Sequence, residues 1–294
     1  MLPSTTEIVF ALGRGDDLVG VTFECDFPPE ARNRRVVSTS ALPDGLSPRE
    51  IDAVVSERMA AGQDLYRLDE GALADLDVDL VLTQDLCAVC AVDVDRVDDA
   101  LDYLGCRAQV LTVDPSTLDE VLDSILDVGV ALGAETEAQE LVAALRRRLD
   151  HLRRILDGAP RPDVLLLEWV DPPFSAGHWV PDLIAAGGGH PVMAHPGTDS
   201  QRLSWEQVSG AVAGTVLVAP CGYHLEPAYE QATELVASRG LPARSEVWAV
   251  DADSYFIRPG PRLVDGAELV GQILHPELCG APDTAQARRV RPAG

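Results

Sequence analysis

Short apolar runs alternate with longer amphipathic stretches along most of the chain. Short apolar runs are typical of buried strands, whereas apolar positions three and four residues apart are typical of helices. The predicted strands cover residues 18–23, 79–84, 109–113, 163–169, 215–219 and 246–250. The predicted helices begin near residues 4, 47, 93, 116, 135, 179, 204, 226 and 262. This order of elements predicts an α/β fold.

Capping signals mark the ends of several predicted helices. Ser4-Thr5-Thr6-Glu7 has the spacing of a capping box, and Gly13 is placed to end the helix that follows. A second helix is predicted to begin at Ser47, with Pro48 in its first turn. Gly187-Gly188-Gly189 follows a predicted helix and not a strand. We therefore interpret these glycines as a helix stop and not as a phosphate-binding loop.

One predicted helix, residues 135–156, is long enough to join two lobes. At 1.5 Å per residue it would extend over about 33 Å, the diameter of a small domain. Acidic residues begin it and arginines end it, as the helix dipole favours. We therefore predict two α/β lobes joined by this helix. The predicted boundaries are 1–115 for the first lobe, 116–158 for the helical linker, 159–280 for the second lobe and 281–294 for a disordered tail.

The charge composition excludes several classes of function. The chain has 294 residues, of which 46% are hydrophobic, and a formal net charge of −25; all 23 basic residues are arginine. So acidic a chain repels a phosphate backbone or an anionic membrane, and we expect no nucleic-acid partner. The apolar runs fall short of the roughly 18 residues that a membrane span needs, so we expect no membrane insertion.

The first residues and the cysteines bear on cellular location. The chain begins Met1-Leu2-Pro3-Ser4, without the basic start, long apolar stretch and cleavage site of a secretory signal. Six cysteines in a chain of this length are more typical of reduced thiols than of a disulfide framework. We therefore expect a cytoplasmic protein, or an extracytoplasmic one if the true start lies upstream of Met1.

The loops that follow the predicted strands carry most of the candidate chemistry. Ligands of open α/β sheets bind beyond the carboxyl ends of the strands. Aromatic residues make up only 5% of the chain, yet they are concentrated in these loops. The candidate ligand-binding residues are Glu24, Cys25, Asp26, Asp85, Cys87, Cys90, Glu168, Trp169, Asp171, Phe174, His178, Trp179, Tyr223, Tyr255, Arg258 and Arg262.

Four of these residues are also candidate metal ligands. Cys25, Cys87, Cys90 and His178 have side chains that bind metals, but the Cys87–Cys90 pair lacks the second pair of a zinc ribbon. The alternatives are thiols that face a ligand pocket or pack in a core, and a histidine that forms a hydrogen bond or caps a helix. The sequence contains neither G-x-S-x-G nor G-x-x-x-x-G-K, so we predict no catalytic residues and a protein that is not an enzyme.

Seven segments, in order along residues 1–278, carry a resemblance to a known family. They are Leu2–Val9, Glu24–Pro28, Ser47–Asp52, Leu65–Asp69, Leu82–Val92, Glu168–Trp179 and Arg258–Arg262. Together they resemble the cobalamin-binding branch of the iron-siderophore/vitamin B12 substrate-binding proteins of ABC transporters. Each segment is weak evidence alone, and the set is specific.

The resemblance implies a fold and a function. The implied fold is that of class III substrate-binding proteins, with two Rossmann-like α/β lobes, one long bridging helix and a ligand in the cleft between the lobes. The implied function is non-catalytic binding of a corrinoid, for ABC-type uptake or for intracellular corrinoid handling. The corrinoid is the ligand and no cofactor is required. An ABC permease is the implied macromolecular partner, and we expect a monomer.

Two alternative functions stay open from the sequence. One is a metal- or thiol-dependent enzyme or sensor that uses Cys25, Cys87, Cys90 and His178. The other is a siderophore- or haem-binding protein on the same fold. The strong negative charge disfavours anionic siderophores, although Arg258 and Arg262 could offset it locally. Under corrinoid binding, we expect replacement of Trp169 or Trp179 by alanine to weaken the complex most.

Overall fold

The computed structural model describes residues 2–73, 76–84, 108–238 and 240–290, and it confirms the α/β class. The strands are β1 (Gly20–Thr22), β2 (Arg35–Ser40), β3 (Tyr66–Leu68), β4 (Leu80–Thr83), β5 (Gln109–Thr112), β6 (Asp163–Val170), β7 (Pro173–Ser175), β8 (His190–Pro191), β9 (Thr215–Val218), β10 (Glu246–Val250) and β11 (Ala287–Val290). The helices are α1 (Pro3–Ala11), α2 (Pro48–Ala60), α3 (Glu70–Leu73), α4 (Leu118–Leu132), α5 (Glu135–Ile155), α6 (Val180–Ala186), α7 (Trp205–Gly210), α8 (Leu225–Ser238), α9 (Ala252–Tyr255), α10 (Leu263–Leu274) and α11 (Pro276–Cys279). The helix predicted to begin near residue 93 lies outside the described residues.

The chain divides into two compact units. The first comprises Met1–Pro115 and Glu120–Ala143, and the second comprises Ser116–Asp119 and Ala144–Gly294. The long helix α5 begins in the first unit and ends in the second, as expected for a bridging helix. Among the described residues, no helix has both the length and the apolar character needed to cross a membrane.

The amino-terminal unit contains a three-stranded sheet of order β1-β2-β3 and the parallel pair β4–β5. Helix α1 corrects one prediction, because it begins at Pro3 with Leu2 as its N-cap, and Ser4 lies inside the first turn. Proline is favoured at the first helical position, which moves the start upstream of the predicted capping box. The second predicted start is confirmed: the Ser47 side chain accepts from the Glu50 backbone N–H at the start of α2.

The carboxy-terminal unit is built on a sheet of order β11-β10-β9-β6-β7, with β8 also paired to β6. Strands β6, β9 and β10 run parallel, so their carboxyl ends share one edge of the sheet. Their interior side chains form the core: Leu165, Leu167, Val216 and Val218 are all fully buried. Continuous burial explains why these strands appear in the sequence as unbroken apolar runs.

Helix α5 is fixed to α10 within the carboxy-terminal unit. The Arg148 guanidinium donates to both carboxylates of Asp265 and Glu268, with Nε to Glu268 Oε1 at 3.0 Å. One turn further along α5, Leu152 packs against Gly271, where an added Cβ would lie 3.1 Å from the leucine side chain. Ion pairing and close packing therefore hold the last half of the long helix.

The prediction of a disordered tail from residue 281 is wrong for residues 287–290. These residues form β11, which pairs antiparallel with β10. Ala287 and Val290 are buried, opposite Val250 and Val247. The segment Ala-Arg-Arg-Val lacks the alternation of apolar and polar residues by which a half-buried strand is recognised, so its sequence gave no strand signal.

Candidate functional site

The loops after β6, β9 and β10 lie at one edge of the carboxy-terminal sheet. We call residues 168–179, 220–224 and 251–262 the carboxyl-edge surface. All of the candidate residues of the second half of the sequence belong to it. Ligands of open α/β sheets bind at this edge, so the topology supports the choice of these loops.

An aromatic pair occupies this surface. The rings of Trp169 and Tyr223 lie with centroids 5.9 Å apart and planes inclined by 51°. Trp169 Nε1–H donates to the backbone carbonyl of Asp171 at 3.2 Å, which fixes the indole ring. Burial raises the pKa of Tyr223, and the neighbouring Cys221 adds to the effect. Both rings are half-buried, so they keep part of their apolar surface for contact.

Glu168 holds the loop together. Its Oε1 accepts from the backbone N–H of Gly177 at 2.9 Å, and its Oε2 accepts from the Ser200 hydroxyl. A Cβ at Gly177 would collide with the backbone nitrogen of Ser200, which explains why glycine stands there. The carboxylate therefore joins the segment after β7 to the segment around Ser200.

Trp179 and His178 lie deeper than the sequence suggested. Trp179 is only 6% exposed, and its Nε1–H donates to the backbone carbonyl of Phe256 at 2.7 Å. Its ring is thus used in packing, and the expectation that it presents a face to a ligand is corrected. His178 adopts the left-handed backbone region, with φ 50°, and its Nε2 lies 3.4 Å from Asp199 Oδ1.

Phe174 and Tyr255 each lie beside an arginine. The Arg202 guanidinium carbon is 5.0 Å from the centroid of the Phe174 ring, and that of Arg262 is 5.9 Å from the Tyr255 ring. Such cation–π contacts are worth about 0.5–1 kcal/mol at exposed sites. Part of each aromatic face is thereby covered by the protein itself.

A charged network links the loops after β9 and β10, and the sequence analysis assigned only its Arg258. His224 Nδ1 lies 3.1 Å from Asp251 Oδ1, and its Nε2 lies 3.6 Å from Asp253 Oδ2. Asp253 also pairs with Arg258, whose side chain is 7% exposed. The signal for these residues was their position after two predicted strands.

The candidates of the amino-terminal unit follow β1. Cys25 is buried against Val21 and Ala31, and its Sγ lies 3.1 Å from Thr6 Oγ1. The structure therefore favours the packing interpretation of this thiol. Glu24 and Asp26 are half-buried, and Asp26 lies 3.6 Å from Arg32. The remaining candidates of this unit, Asp85, Cys87 and Cys90, lie outside the described residues, and the metal-ligand set stays a prediction.

A groove of about 660 Å³ in the carboxy-terminal unit lies away from these loops. It is lined by the end of α5, the segment 158–161 that leads into β6, and one side of α6. Its described lining residues include none of the predicted ligand-binding residues. We base the site on the carboxyl-edge surface, because ligand contacts in this topology come from strand ends and not from the strand starts.

The fold and the site define a solute-binding protein built from two α/β units and one long helix. Residues 2–241 match the family described as periplasmic binding protein, and the chain belongs to that family. It is a substrate-binding protein of the ABC-transporter type, with the class III fold. Members of the family are non-catalytic solute-binding proteins.

Two relatives match nearly the whole chain. An ABC transporter substrate-binding lipoprotein of Bacillus subtilis, YvrC, is 25% identical over 94% of this chain and 79% of its own length. A protein of Vibrio cholerae named vitamin B12-binding protein is 26% identical, over 92% of this chain and 86% of its own length. Both alignments include the loops of the carboxyl-edge surface within their span.

Two solved structures share the fold. A periplasmic heme binding protein from Pseudomonas aeruginosa superposes with a TM-score of 0.71 at 18% identity, covering 99% of this chain and 97% of that one. The periplasmic vitamin B12 binding protein BtuF of Vibrio cholerae superposes with a TM-score of 0.65 at 23% identity, covering 93% and 94%. The fold thus occurs with at least two kinds of tetrapyrrole-like ligand.

The expectation of a cytoplasmic protein is wrong. The family is one of periplasmic binding proteins, and one of the two relatives is a lipoprotein, so the homologues act outside the cytoplasm. The expectation depended on the first residues and on the thiols. The family match is stronger evidence of location than either feature.

Proposed function

We propose that this protein binds a corrinoid of the cobalamin type at its carboxyl-edge surface, for ABC-type uptake. The observation that carries the proposal is the Trp169–Tyr223 pair, held at the carboxyl ends of two adjacent parallel strands. The Vibrio cholerae relative named vitamin B12-binding protein, which matches over most of both chains, supports the same ligand class.

The chemistry of a corrin suits this surface. A corrin is a broad, flat and largely apolar macrocycle whose edge carries amide groups. It calls for aromatic surface under the ring and for a small number of polar groups around the edge. Trp169 and Tyr223 supply the aromatic surface. Asp171, His224 and Asp251, in the three segments of the carboxyl-edge surface, supply the polar groups. We propose that an ABC permease receives the bound ligand.

The test is a titration of the protein with hydroxocobalamin. Binding is followed by calorimetry, by tryptophan fluorescence and by the visible spectrum of the corrin. We expect saturable binding of one corrinoid per chain, accompanied by quenching of fluorescence. Haemin and a ferric siderophore are titrated in parallel. Absence of corrinoid binding, or tighter binding of either competitor, would reject the proposal.

Replacement of Trp169 locates the site. We expect Trp169→Ala to weaken corrinoid binding by on the order of 1–3 kcal/mol, about 5- to 150-fold in Kd, because a large aromatic contact is lost. Trp248→Ala is the matched control, since Trp248 is also half-buried but lies in the middle of β10, whereas Trp169 lies at the carboxyl end of β6. Circular dichroism checks that both variants fold. Equal affinities of the two variants would place the ligand elsewhere.

A further inference from the structure

Arg258, one of the two arginines that could attract an anion to the carboxyl-edge surface, is already held in an ion pair. The Arg258 side chain is 7% exposed and forms an ion pair with Asp253, five residues before it in the chain. An ion pair with an adjacent carboxylate offsets much of the field of a buried cation. Arg258 therefore contributes little field toward an approaching carboxylate, contrary to the expectation from the sequence. Arg262, the second arginine of that expectation, lies over the Tyr255 ring, with its guanidinium carbon 5.9 Å from the ring centroid.

The carboxylates around the aromatic pair are held in fixed positions. Asp251 accepts from the Ser254 backbone N–H at 2.9 Å as the N-cap of α9, and it also contacts His224 Nδ1 at 3.1 Å. The Asp253 backbone N–H donates to the Tyr223 carbonyl at 3.2 Å, which joins this loop to the aromatic pair. A ligand on Tyr223 thus approaches an ordered acidic loop, on a chain of net charge −25.

These observations bear on which corrinoids the surface accepts. The edge of cobalamin carries neutral carboxamides, whose N–H groups donate to carboxylates. Hydrolysis of one such amide replaces a donor by an anion, which a neighbouring carboxylate repels. Resting on the corrinoid function proposed above, we propose that the carboxyl-edge surface selects amidated corrinoids over those with free carboxylates, and that Asp251 is a specificity-determining residue.

The experiment compares two ligands that differ by one charge. Cyanocobalamin and its monocarboxylic acids, in which one propionamide is hydrolysed, are titrated by calorimetry at neutral pH and low salt. We expect at least one of the acids to bind roughly fivefold or more weakly than cyanocobalamin, and the ratio to shrink when salt screens the repulsion. Haemin, which carries two propionates, is expected to bind more weakly than cyanocobalamin, as the acids do.

Asp251→Asn separates charge from structure. Asparagine is also a favoured N-cap residue, so the variant keeps the acceptor for Ser254 and loses only the charge. We expect it to bind the hydrolysed ligand more tightly and to bring the ratio of the two affinities toward one. Asp163→Asn is the matched control, because Asp163 also pairs with a histidine, His190 at 2.8 Å, but at the start of β6.

The outcomes are distinguishable. If cyanocobalamin and all of its acids bind with equal affinity, the selectivity is overturned while corrinoid binding stands. The same conclusion follows if Asp251→Asn leaves the ratio of the two affinities unchanged. A ratio that Asp163→Asn lowers as much as Asp251→Asn does would show a general effect of net charge and would also overturn it. If neither ligand binds, the proposed function itself is rejected, and the selectivity with it.

Discussion

At the scale of single residues, Trp169 and Trp179, near the two ends of the segment 168–179, have different environments. Trp169 lies against Tyr223 and keeps exposed surface, whereas Trp179 is 6% exposed and bonded to the Phe256 carbonyl. The indole N–H of a buried tryptophan usually finds a partner, and here that partner lies in the loop after β10. Trp179 thus joins two of the three loops that form the carboxyl-edge surface.

This difference predicts a split between binding and stability. Trp179→Phe should lower the free energy of unfolding by about 1–3 kcal/mol, because the Phe256 carbonyl loses its donor and a small cavity forms. Urea unfolding followed by circular dichroism measures the change. Trp169→Phe is the control and should unfold within about 1 kcal/mol of the wild type. A larger loss of stability in Trp169→Phe than in Trp179→Phe would contradict the packing role of Trp179.

The sequence could place the functional loops but not the role of each side chain in them. Strand ends are visible as the ends of apolar runs, so Glu168, Trp169 and Trp179 could be selected together. Whether an indole faces solvent or a neighbouring loop depends on contacts with residues far along the chain, such as Phe256. For the same reason His224, whose partner Asp251 is 27 positions away, was not assigned.

At the scale of elements, the start of α2 illustrates a reciprocal cap with a pH dependence. The Ser47 backbone N–H and hydroxyl donate to Glu50 Oε2 at 2.8 and 2.6 Å. Both hydrogen bonds lower the pKa of Glu50 below its ordinary value of 4.5, and the one from the Ser47 hydroxyl has the larger effect. A carboxylate whose pKa is lower in the folded state stabilises the protein above its unfolded pKa and ceases to do so below its folded pKa.

The capping box therefore predicts how one variant behaves with pH. Glu50→Gln keeps an acceptor for Ser47 but has no charge near the helix start. The wild type should melt at a higher temperature than the variant at about pH 6, and the difference should vanish as pH falls through the folded pKa, below 4.5. Thermal melts at several pH values measure it. A difference that is the same at pH 6 and pH 3 would contradict the prediction.

The ion pairs of Arg148 predict how much the contact between α5 and α10 contributes to the free energy of unfolding. Arg148 pairs with Glu268 and Asp265, which raise the pKa of its guanidinium, while its partial burial opposes the rise. We expect Arg148→Ala to cost about 1–2 kcal/mol of unfolding free energy, moderated by the side chain's partial exposure to water. Arg153→Ala, which removes an exposed pair with Asp150, is the control and should cost less than about 1 kcal/mol. Equal costs would show that the contact depends on apolar packing alone.

The elements that the sequence predicted are those with a strong local pattern. Helix α5 and strands β6 and β9 are long or continuously apolar, and their bounds agree with prediction to within about two residues. Strands β2, β3, β7, β8 and β11 were missed. Strands β2 and β11 contain arginine and only two apolar residues each, so only pairing with a neighbouring strand identifies them. Strands of this composition depend on tertiary contacts more than on their own sequence.

At the scale of the whole molecule, charge is the property that the sequence determines most completely. Net charge requires no knowledge of the fold, and it already disfavours nucleic-acid partners. It does not determine where a solute-binding protein works, and the family match overturned the expected cytoplasmic location. Composition thus constrains which partners are attracted or repelled, while the ligand class depends on how a small number of loops are folded together.

The net charge of −25 also predicts how salt affects the folded state. Like charges repel more strongly when the chain is compact, so the repulsion lowers stability at low ionic strength. Raising sodium chloride from about 20 to 300 mM shortens the Debye length from roughly 20 Å to about 6 Å. We expect the melting temperature to rise by several degrees over this range. Screening acts mainly at these concentrations, whereas general salt exclusion from the surface continues to act at higher ones. A melting temperature that stays constant or falls between 20 and 300 mM would show that local ion pairs, such as those of Arg148 and Arg258, outweigh the overall repulsion.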